Sequence, residues 1–202
     1  MGVMKSAETN HLPETCSVAF KEWAGVCSAL GRGLQSIILR KGGIAEGPGG
    51  FTPEHPVFWL YPTRVHQEQQ RLKVDGLGSP GRADADDSTV EVDTLAVVEL
   101  IGRVDRREIL PNLESLHVWT KETVEKKFSY RQPGLWVLGV RVLRRPEPFR
   151  LRAAPEYLGC KSWAPLGRAL PTDGLVNVID EGRSRAALTG LRAAIGLETL
   201  PA

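Results

Sequence analysis

The segment from Ile37 to Gln67 constrains the fold more than any other part of this chain. It opens with an apolar run and the basic pair Arg40-Lys41, and continues with five glycines and two prolines, then Glu54-His55 and an aromatic stretch. Glycine reaches backbone conformations with positive φ and lets the chain approach a ligand closely. We therefore predict a strand ending at Arg40, a glycine loop at 42–50 that faces a polar ligand, and an aromatic strand at 57–61.

The composition indicates a globular protein with a hydrophobic core. Of the 202 residues, 42% are hydrophobic, and the formal net charge is only +2, so global charge implies no particular partner. The three cysteines have no metal-binding spacing and fit the reduced thiols of a cytoplasm. The N-terminus lacks the apolar core of a signal peptide, and no apolar run approaches about 18 residues. We expect a soluble cytoplasmic protein outside the membrane, with no cofactor.

Hydrophobic periodicity and turn residues predict a mixture of helices and strands. Besides the segments above, they predict a helix from Ser17 to Gly31, strands at 94–104, 116–119 and 135–145, a helix capped by Thr120, and a helix at 181–195. Helices and strands do not alternate strictly, which argues against a doubly wound sheet. We predict an α+β fold in which a small mixed β-sheet curls or closes and helices cap it.

The same patterns predict the organisation of the chain. A single domain is predicted at 16–166, followed by a C-terminal extension at 167–202 that ends in a helix. Residues 74–90 are rich in Gly, Pro, Ser and Asp and predict a flexible loop within the domain. Pro146 and Pro148 are expected to end the strand at 135–145.

Five separated blocks of the sequence resemble, in the same order, a bacterial family catalogued as domain of unknown function 1802. The blocks are AFKEWA (19–24), LRKGGIAE (39–46), FWLYPT with HQ (58–63 and 66–67), LHVWT (116–120) and YLGCKSW (157–163). The resemblance covers about residues 18–166. It implies membership of the family and brings no function with it.

A second resemblance concerns the opening of the fold. A helix that ends in glycine and a strand that ends in arginine, from Gly33 to Arg40, resemble the start of PUA-like barrel domains, including the ASCH group. The Lys, Thr and Glu usual between these two residues in ASCH domains are absent here. The resemblance implies a barrel that binds RNA or modified bases, while a few such domains are hydrolases.

The basic pair and the glycine loop predict an anion clamp. Arg40 would offer a bidentate fork, Lys41 a point charge, and Gly42 and Gly43 backbone amides to a phosphate. The alternative is a solvated strand end whose basic groups form ion pairs with Glu46 or Glu54. The loop lacks the P-loop spacing, so nucleoside triphosphate chemistry is not expected.

Trp59, His66 and Gln67 complete the predicted recognition site. Trp59 would stack on a base, although aromatic residues on a short strand are also typical of a core. His66 and Gln67 would contact polar base edges. With the clamp, these residues predict a non-enzymatic nucleic-acid or nucleotide-recognition domain whose partner is RNA, DNA or another phosphate-bearing ligand.

Two other functions stay open from the sequence. Glu54, His55 and His66 could serve as an acid–base set in a hydrolase or nuclease, because imidazole titrates near neutrality. These residues lack a third ligand at metal spacing, so no metal site is predicted. The remaining alternative is a protein-interaction module without a small ligand. The patterns do not determine the oligomeric state.

Arginines near two predicted strand ends form a further candidate surface. They are Arg103, Arg106, Arg107, Arg141, Arg144 and Arg145. If the two strands are neighbours, these residues would form a positive patch for nucleic acid despite the low net charge. The alternative is two ordinary solvent-exposed faces.

Overall fold

The computed structural model describes residues 12–41, 46–47, 50–51, 55–63, 71–77, 89–153 and 162–197. Its strands are β1 (Thr15–Trp23), β2 (Ile37–Arg40), β3 (Glu46–Gly47), β4 (Gly50–Phe51), β5 (Val57–Thr63), β6 (Thr89–Val104), β7 (Leu135–Arg152), β8 (Trp163–Pro171) and β9 (Val176–Asn177). Its helices are α1 (Ala24–Gly31), α2 (Lys121–Ser129), α3 (Glu181–Ala194) and a 3-10 helix (Arg107–Leu116).

Seven of the strands in the described residues form one mixed sheet in the order β2-β7-β6-β5-β1-β8, with β9 also paired to β7. β1 and β5 run parallel, whereas the other neighbours in this sheet are antiparallel. Sheet and helices together confirm the predicted α+β class. No described helix is long and apolar enough to cross a membrane.

Each face of the sheet packs against a hydrophobic core. On β5, Phe58 and Leu60 enter a core that also receives residues of α1, α2 and α3. The intervening Trp59 and Tyr61 enter a second core, which includes residues of β8. Successive side chains of a strand point to opposite faces, so neighbouring aromatic residues of β5 are buried in different cores.

The helix predicted from Ser17 is wrong in its first half. Residues 15–23 form β1, and only Ala24–Gly31 is helical. β1 lies between β5 and β8, with Ala19 in one core and Phe20 in the other. A strand buried on both faces lacks the polar alternation that identifies a half-buried strand, and its apolar residues therefore matched a helical pattern.

Two further local predictions need correction. Residues 116–119 do not form a strand: the 3-10 helix ends at Leu116, and Trp119 makes a single bridge to Leu72. The prolines at 146 and 148 do not end β7, which continues to Arg152. They lie where pairing with β6 is interrupted, between Arg144 and Phe149. Proline is tolerated there because no ladder hydrogen bond is required of it.

Other local predictions match the structure. The Thr120 hydroxyl accepts a hydrogen bond from the Thr123 amide at the start of α2, as an N-cap residue should. α3 lies within the helix predicted at 181–195.

The C-terminal part of the chain packs with the main sheet. β8 runs across position 166, the predicted end of the domain, and Leu191 of α3 packs in the first core.

The segment predicted as a flexible loop has structure at both described ends. Leu77 is 2% exposed and packs with Ala29 and Val118, and β6 already begins at Thr89. Positions 78–88 lie outside the described residues. For those positions the flexible loop stays a prediction.

Candidate functional site

Arg40, at the end of β2, is the centre of a cluster of charged groups. Its Nη1 lies 3.5 Å from Glu22 Oε2, and its Nη2 donates a hydrogen bond to the Ser162 hydroxyl. The guanidinium carbon lies 4.6 Å from the centre of the Phe20 ring. The Arg40 side chain is 19% exposed, so a ligand can reach it from solvent.

The contact between Arg40 and Ser162 also shows that the sheet is curved. Arg40 lies on the edge strand β2, and Ser162 immediately precedes β8, the strand at the other end of the pairing order. A side chain can join these positions only if the sheet curls until its two ends face each other. The backbone pairing stays open, and Arg40 bridges the gap between the strand ends.

Lys127, on α2, is a second cation close to Arg40 and Glu22. Its Nζ lies 4.8 Å from the centre of the Trp23 ring and 4.7 Å from that of Trp119, and it donates to the Leu39 carbonyl at 3.4 Å. Burial lowers the pKa of Lys127 to about 8, with the Glu22 charge raising this pKa and the Arg40 charge lowering it. The ammonium form is still the major one at neutral pH.

Glu22 is the carboxylate that these cations share. Glu22 is 3% exposed, and its Oε1 accepts a hydrogen bond from the Trp23 amide at 2.9 Å. We call Glu22, Arg40, Lys127 and Ser162 the Arg40 cluster. Its formal charge is +1, because two cations accompany one carboxylate. Buried charge is costly unless it is paired, so this excess favours an anionic ligand.

Aromatic rings form one wall beside the cluster. The Trp163 ring contacts the rings of Phe20, Phe58 and His55 at centroid distances of 4.8, 5.1 and 5.0 Å. The buried Trp163 Nε1 has no hydrogen-bond partner among the described residues. An indole N–H in that condition can donate to a polar ligand.

Lys41, the second member of the predicted clamp, is directed to the protein itself. Its Nζ donates to the carbonyls of Phe128 at 2.7 Å and Gly134 at 3.0 Å, and also to that of Gln132. An ammonium has three donors, so this group is fully used in holding the end of α2 and the turn that follows. Although Arg40 and Lys41 are adjacent, Arg40 therefore contacts Glu22 and Ser162, while Lys41 contacts the turn after α2.

Trp59 does not reach the site. It is 0% exposed, its Nε1 donates to the Cys16 carbonyl at 3.2 Å, and its ring packs against Phe149. The stacking role predicted for it is incompatible with this position, because β5 directs it into the second core.

The remaining predicted site residues are only partly described. Gly42, Gly43, Glu54, His66 and Gln67 lie outside the described residues. His55 is described, and its ring contacts Trp163 as stated above. Within the described part of the chain, no group of three or more His, Cys, Asp or Glu residues could hold a metal ion.

The six arginines do not form a single patch. β6 and β7 are neighbours but antiparallel, so Arg103 lies opposite Trp136 while Arg141 and Arg144 lie opposite Val97 and Thr94. Arg141, Arg144 and Arg145 also form ion pairs, with Glu99, Asp93 and Asp173. Antiparallel pairing thus separates the two groups along the sheet.

The sequence interpretation missed Glu22, Lys127, Ser162 and Trp163. Glu22 was assigned to a helix, and Lys127 follows Lys126 in a segment that resembles a solvated helix face. Three of the four lie in the blocks or segments that carry the family resemblance, namely AFKEWA and YLGCKSW. Nothing local in those blocks indicates that they meet in space.

The chain belongs to the family described as domain of unknown function (DUF1802), whose model matches residues 19–185. This confirms the family that the five sequence blocks resemble. No curated protein matches the sequence.

Among solved structures, the chain is similar to the crystal structure of ASCH from Zymomonas mobilis, with 13% identity and a TM-score of 0.42 over 86% of this chain and 94% of that one. Two ZmASCH mutant proteins from the same organism match with identities of 12% and 11% and TM-scores of 0.42 and 0.43. They cover 89% and 85% of this chain, and 99% and 96% of their own. These are members of the group that the opening of the fold resembles, and a likeness at this level carries no argument about function.

Proposed function

We propose that this protein recognises a nucleotide, free or within RNA or DNA, by binding its phosphate at the Arg40 cluster, and that it catalyses no reaction there. The observation that carries this proposal is the presence of two largely buried cations around a single buried carboxylate. A phosphate at this place would balance the excess positive charge. Phosphate, like carboxylate, matches the forked geometry of an arginine guanidinium.

The donors needed for such a ligand remain available. A guanidinium has five N–H groups and an ammonium has three. Toward the described residues, Arg40 uses Nη1 and Nη2 for Glu22 and Ser162, and Lys127 makes one hydrogen bond, to Leu39. Each side chain thus retains N–H groups for an anion. The neighbouring rings of Trp23 and Trp163 supply flat apolar surface for the base of the same nucleotide.

A binding experiment with a matched pair of lysine variants tests this function. Lys127→Met removes the partly buried cation, while Lys126→Met removes the neighbouring lysine, which is 75% exposed and pairs with Glu122. Nucleoside monophosphates, inorganic phosphate and short oligonucleotides are titrated calorimetrically into each protein. We expect Lys127→Met to weaken binding by roughly 10- to 100-fold, the range for a charge-assisted hydrogen bond, and Lys126→Met to leave it within about twofold.

A second variant examines the arginine. Arg40→Lys keeps the charge but loses the fork, and binding should weaken by roughly 1–3 kcal/mol. Urea denaturation of the same protein separates this loss from unfolding. Equal affinities for wild type, Lys127→Met and Arg40→Lys would overturn the proposal. Cleavage of the oligonucleotide by wild-type protein would support the nuclease alternative with His55 instead.

A further inference from the structure

Three arginines around the turn between α2 and β7 differ from most arginines of the sheet. Arg141, Arg144, Arg145 and Arg150 each form an ion pair with a carboxylate. Within the described residues, Arg103, Arg107 and Arg131 form none. All three are exposed. Asp105 and Glu108 lie in the same part of the chain, yet neither forms an ion pair with these arginines.

The three arginines converge on the turn at 129–134. Arg107 Nη2 donates to the Ser129 hydroxyl at 3.2 Å, and the Arg131 guanidinium lies 5.2 Å from the centre of the Tyr130 ring. The Arg103 guanidinium lies 5.2 Å from the centre of the Trp136 ring. Its Nη2 is also 3.1 Å from where a Cβ on Gly134 would be.

Tyr130 adds an aromatic group to this surface. It is 58% exposed, so more than half of the residue is open to solvent. The next residue, Arg131, has a φ of 60°, a left-handed conformation that costs energy in residues other than glycine. We call Arg103, Arg107, Tyr130 and Arg131 the turn patch.

Lys41 holds the backbone of the turn that carries Tyr130 and Arg131. The three carbonyls that its Nζ binds belong to Phe128, Gln132 and Gly134, so they bracket Tyr130 and Arg131 in the chain. Lys41 also follows Arg40 directly. The end of β2 therefore places Arg40 in the Arg40 cluster and Lys41 against the turn that carries Tyr130 and Arg131.

We propose that the turn patch binds the sugar-phosphate backbone of a single-stranded nucleic acid, with Tyr130 stacking on a base of the same strand that the Arg40 cluster holds by a phosphate. Unpaired exposed arginines supply the cations that phosphodiesters attract. An exposed ring can stack only on a base that is not already paired and stacked, which favours a single strand over a duplex. This inference rests on the proposed function and adds the class of ligand.

The test measures binding of single-stranded 12-mers of RNA and DNA, and of the matching duplexes, by fluorescence anisotropy at several salt concentrations. The patch variant replaces Arg103, Arg107 and Arg131 by Gln. The control variant replaces Arg152, Arg168 and Arg183 by Gln, three exposed arginines outside the patch that form no ion pair among the described residues. Both variants change the net charge equally.

We expect the patch variant to bind single strands at least about tenfold more weakly than the control variant at moderate salt. Its slope of log affinity against log salt should fall by roughly 0.7 for each lost phosphate contact. Tyr130→Ala should weaken binding by roughly 5- to 150-fold, as for the loss of one stacked base, and Tyr130→Phe should retain it. If the RNA and DNA single strands bind with equal affinity, the contacts are to the phosphates and bases that both nucleic acids share.

Equal losses in the patch and control variants would overturn the proposal, because bulk charge alone would then explain binding. Tighter binding of the duplex, or no effect of Tyr130→Ala, would overturn it as well. Failure of the proposed function is recognised separately. If Lys127→Met binds mononucleotides normally while the patch variant loses oligonucleotides, the turn patch stands and the Arg40 cluster does not. If Lys127→Met loses mononucleotide binding while the patch variant binds oligonucleotides normally, only the turn-patch proposal is overturned.

Discussion

Arg40 and Glu22 form an ion pair between strands that are not neighbours in the sheet, with Nη1 and Oε2 3.5 Å apart. β2 and β1 are separated in the pairing order by β7, β6 and β5. The pair thus depends on the curvature of the whole sheet, and the same arginine is the centre of the candidate binding site. Arg40 therefore combines a structural ion pair with the recognition role proposed for it.

The Arg40–Glu22 pair should show strong coupling in a double-mutant cycle. Arg40→Gln leaves the buried Glu22 carboxylate without its guanidinium, and we expect a loss of about 3 kcal/mol in the free energy of unfolding. Adding Glu22→Gln should recover part of this loss, with a coupling energy of about 0.5–3 kcal/mol. Urea denaturation of the four proteins gives the cycle. Strict additivity would show that the two side chains do not interact.

Lys127 should make the stability of the protein depend on alkaline pH. Burial lowers its pKa from 10.5 to about 8 in the folded state, so between these values the unfolded chain binds a proton that the folded protein has released. The free energy of unfolding then rises with pH across that window. Relative to Lys127→Met, the wild type should gain up to about 3 kcal/mol between pH 8 and 10.5.

Chemical denaturation at a series of pH values checks this prediction, and Lys126→Met is the control. The exposed Lys126 variant should follow the wild-type curve. If the curves of wild type and Lys127→Met stay parallel over the window, the Lys127 ammonium is not desolvated as described.

His117 should make the stability of the protein depend on acidic pH, with the same sign: the free energy of unfolding falls as pH falls. It is 5% exposed, and burial, assisted by the positive charge of Lys73, lowers its pKa from 6.5 to about 4. The unfolded chain binds a proton first as pH falls from 6.5 to 4, so the folded state loses up to about 3 kcal/mol over that range. His117→Gln should lack this component. Urea midpoints at pH 7, 6, 5 and 4 measure it, and an unchanged pH dependence in the variant would contradict it.

Two deletions in the segment after β5 should have different costs. Removing 79–87 takes out residues of loop composition, and we expect a change within about 1 kcal/mol because loop closure depends weakly on length. Removing 77–87 also takes out Leu77, which is buried against Ala29 and Val118. This should cost about 2–5 kcal/mol more, as for a large-to-small change in a core. Similar melting temperatures for both deletions would argue that Leu77 contributes little.

Several parts of the fold were predictable because their signals are local. The apolar run at 37–39 predicts the strand that carries Arg40, and Thr120 predicts the start of α2. β5 and β7 were found from β-branched and aromatic residues. β1 was missed because it is buried on both faces, and this error placed Glu22 on a helix. The assignment of Trp59 to the site failed for a related reason, since period-2 alternation does not tell which face of a strand is exposed.

The sequence by itself determined the family, the α+β class, and most strand and helix positions, and it predicted Arg40 as a site residue. Only the tertiary structure decided the partners of that residue. Glu22, Lys127 and Ser162 come from segments 18, 87 and 122 residues away along the chain. Local propensity acts over a few residues, whereas the meeting of these groups requires strand pairing and sheet curvature that depend on long-range packing. The same packing brings Arg103, Arg107 and Arg131 together around one turn, where no carboxylate of the described residues forms an ion pair with them.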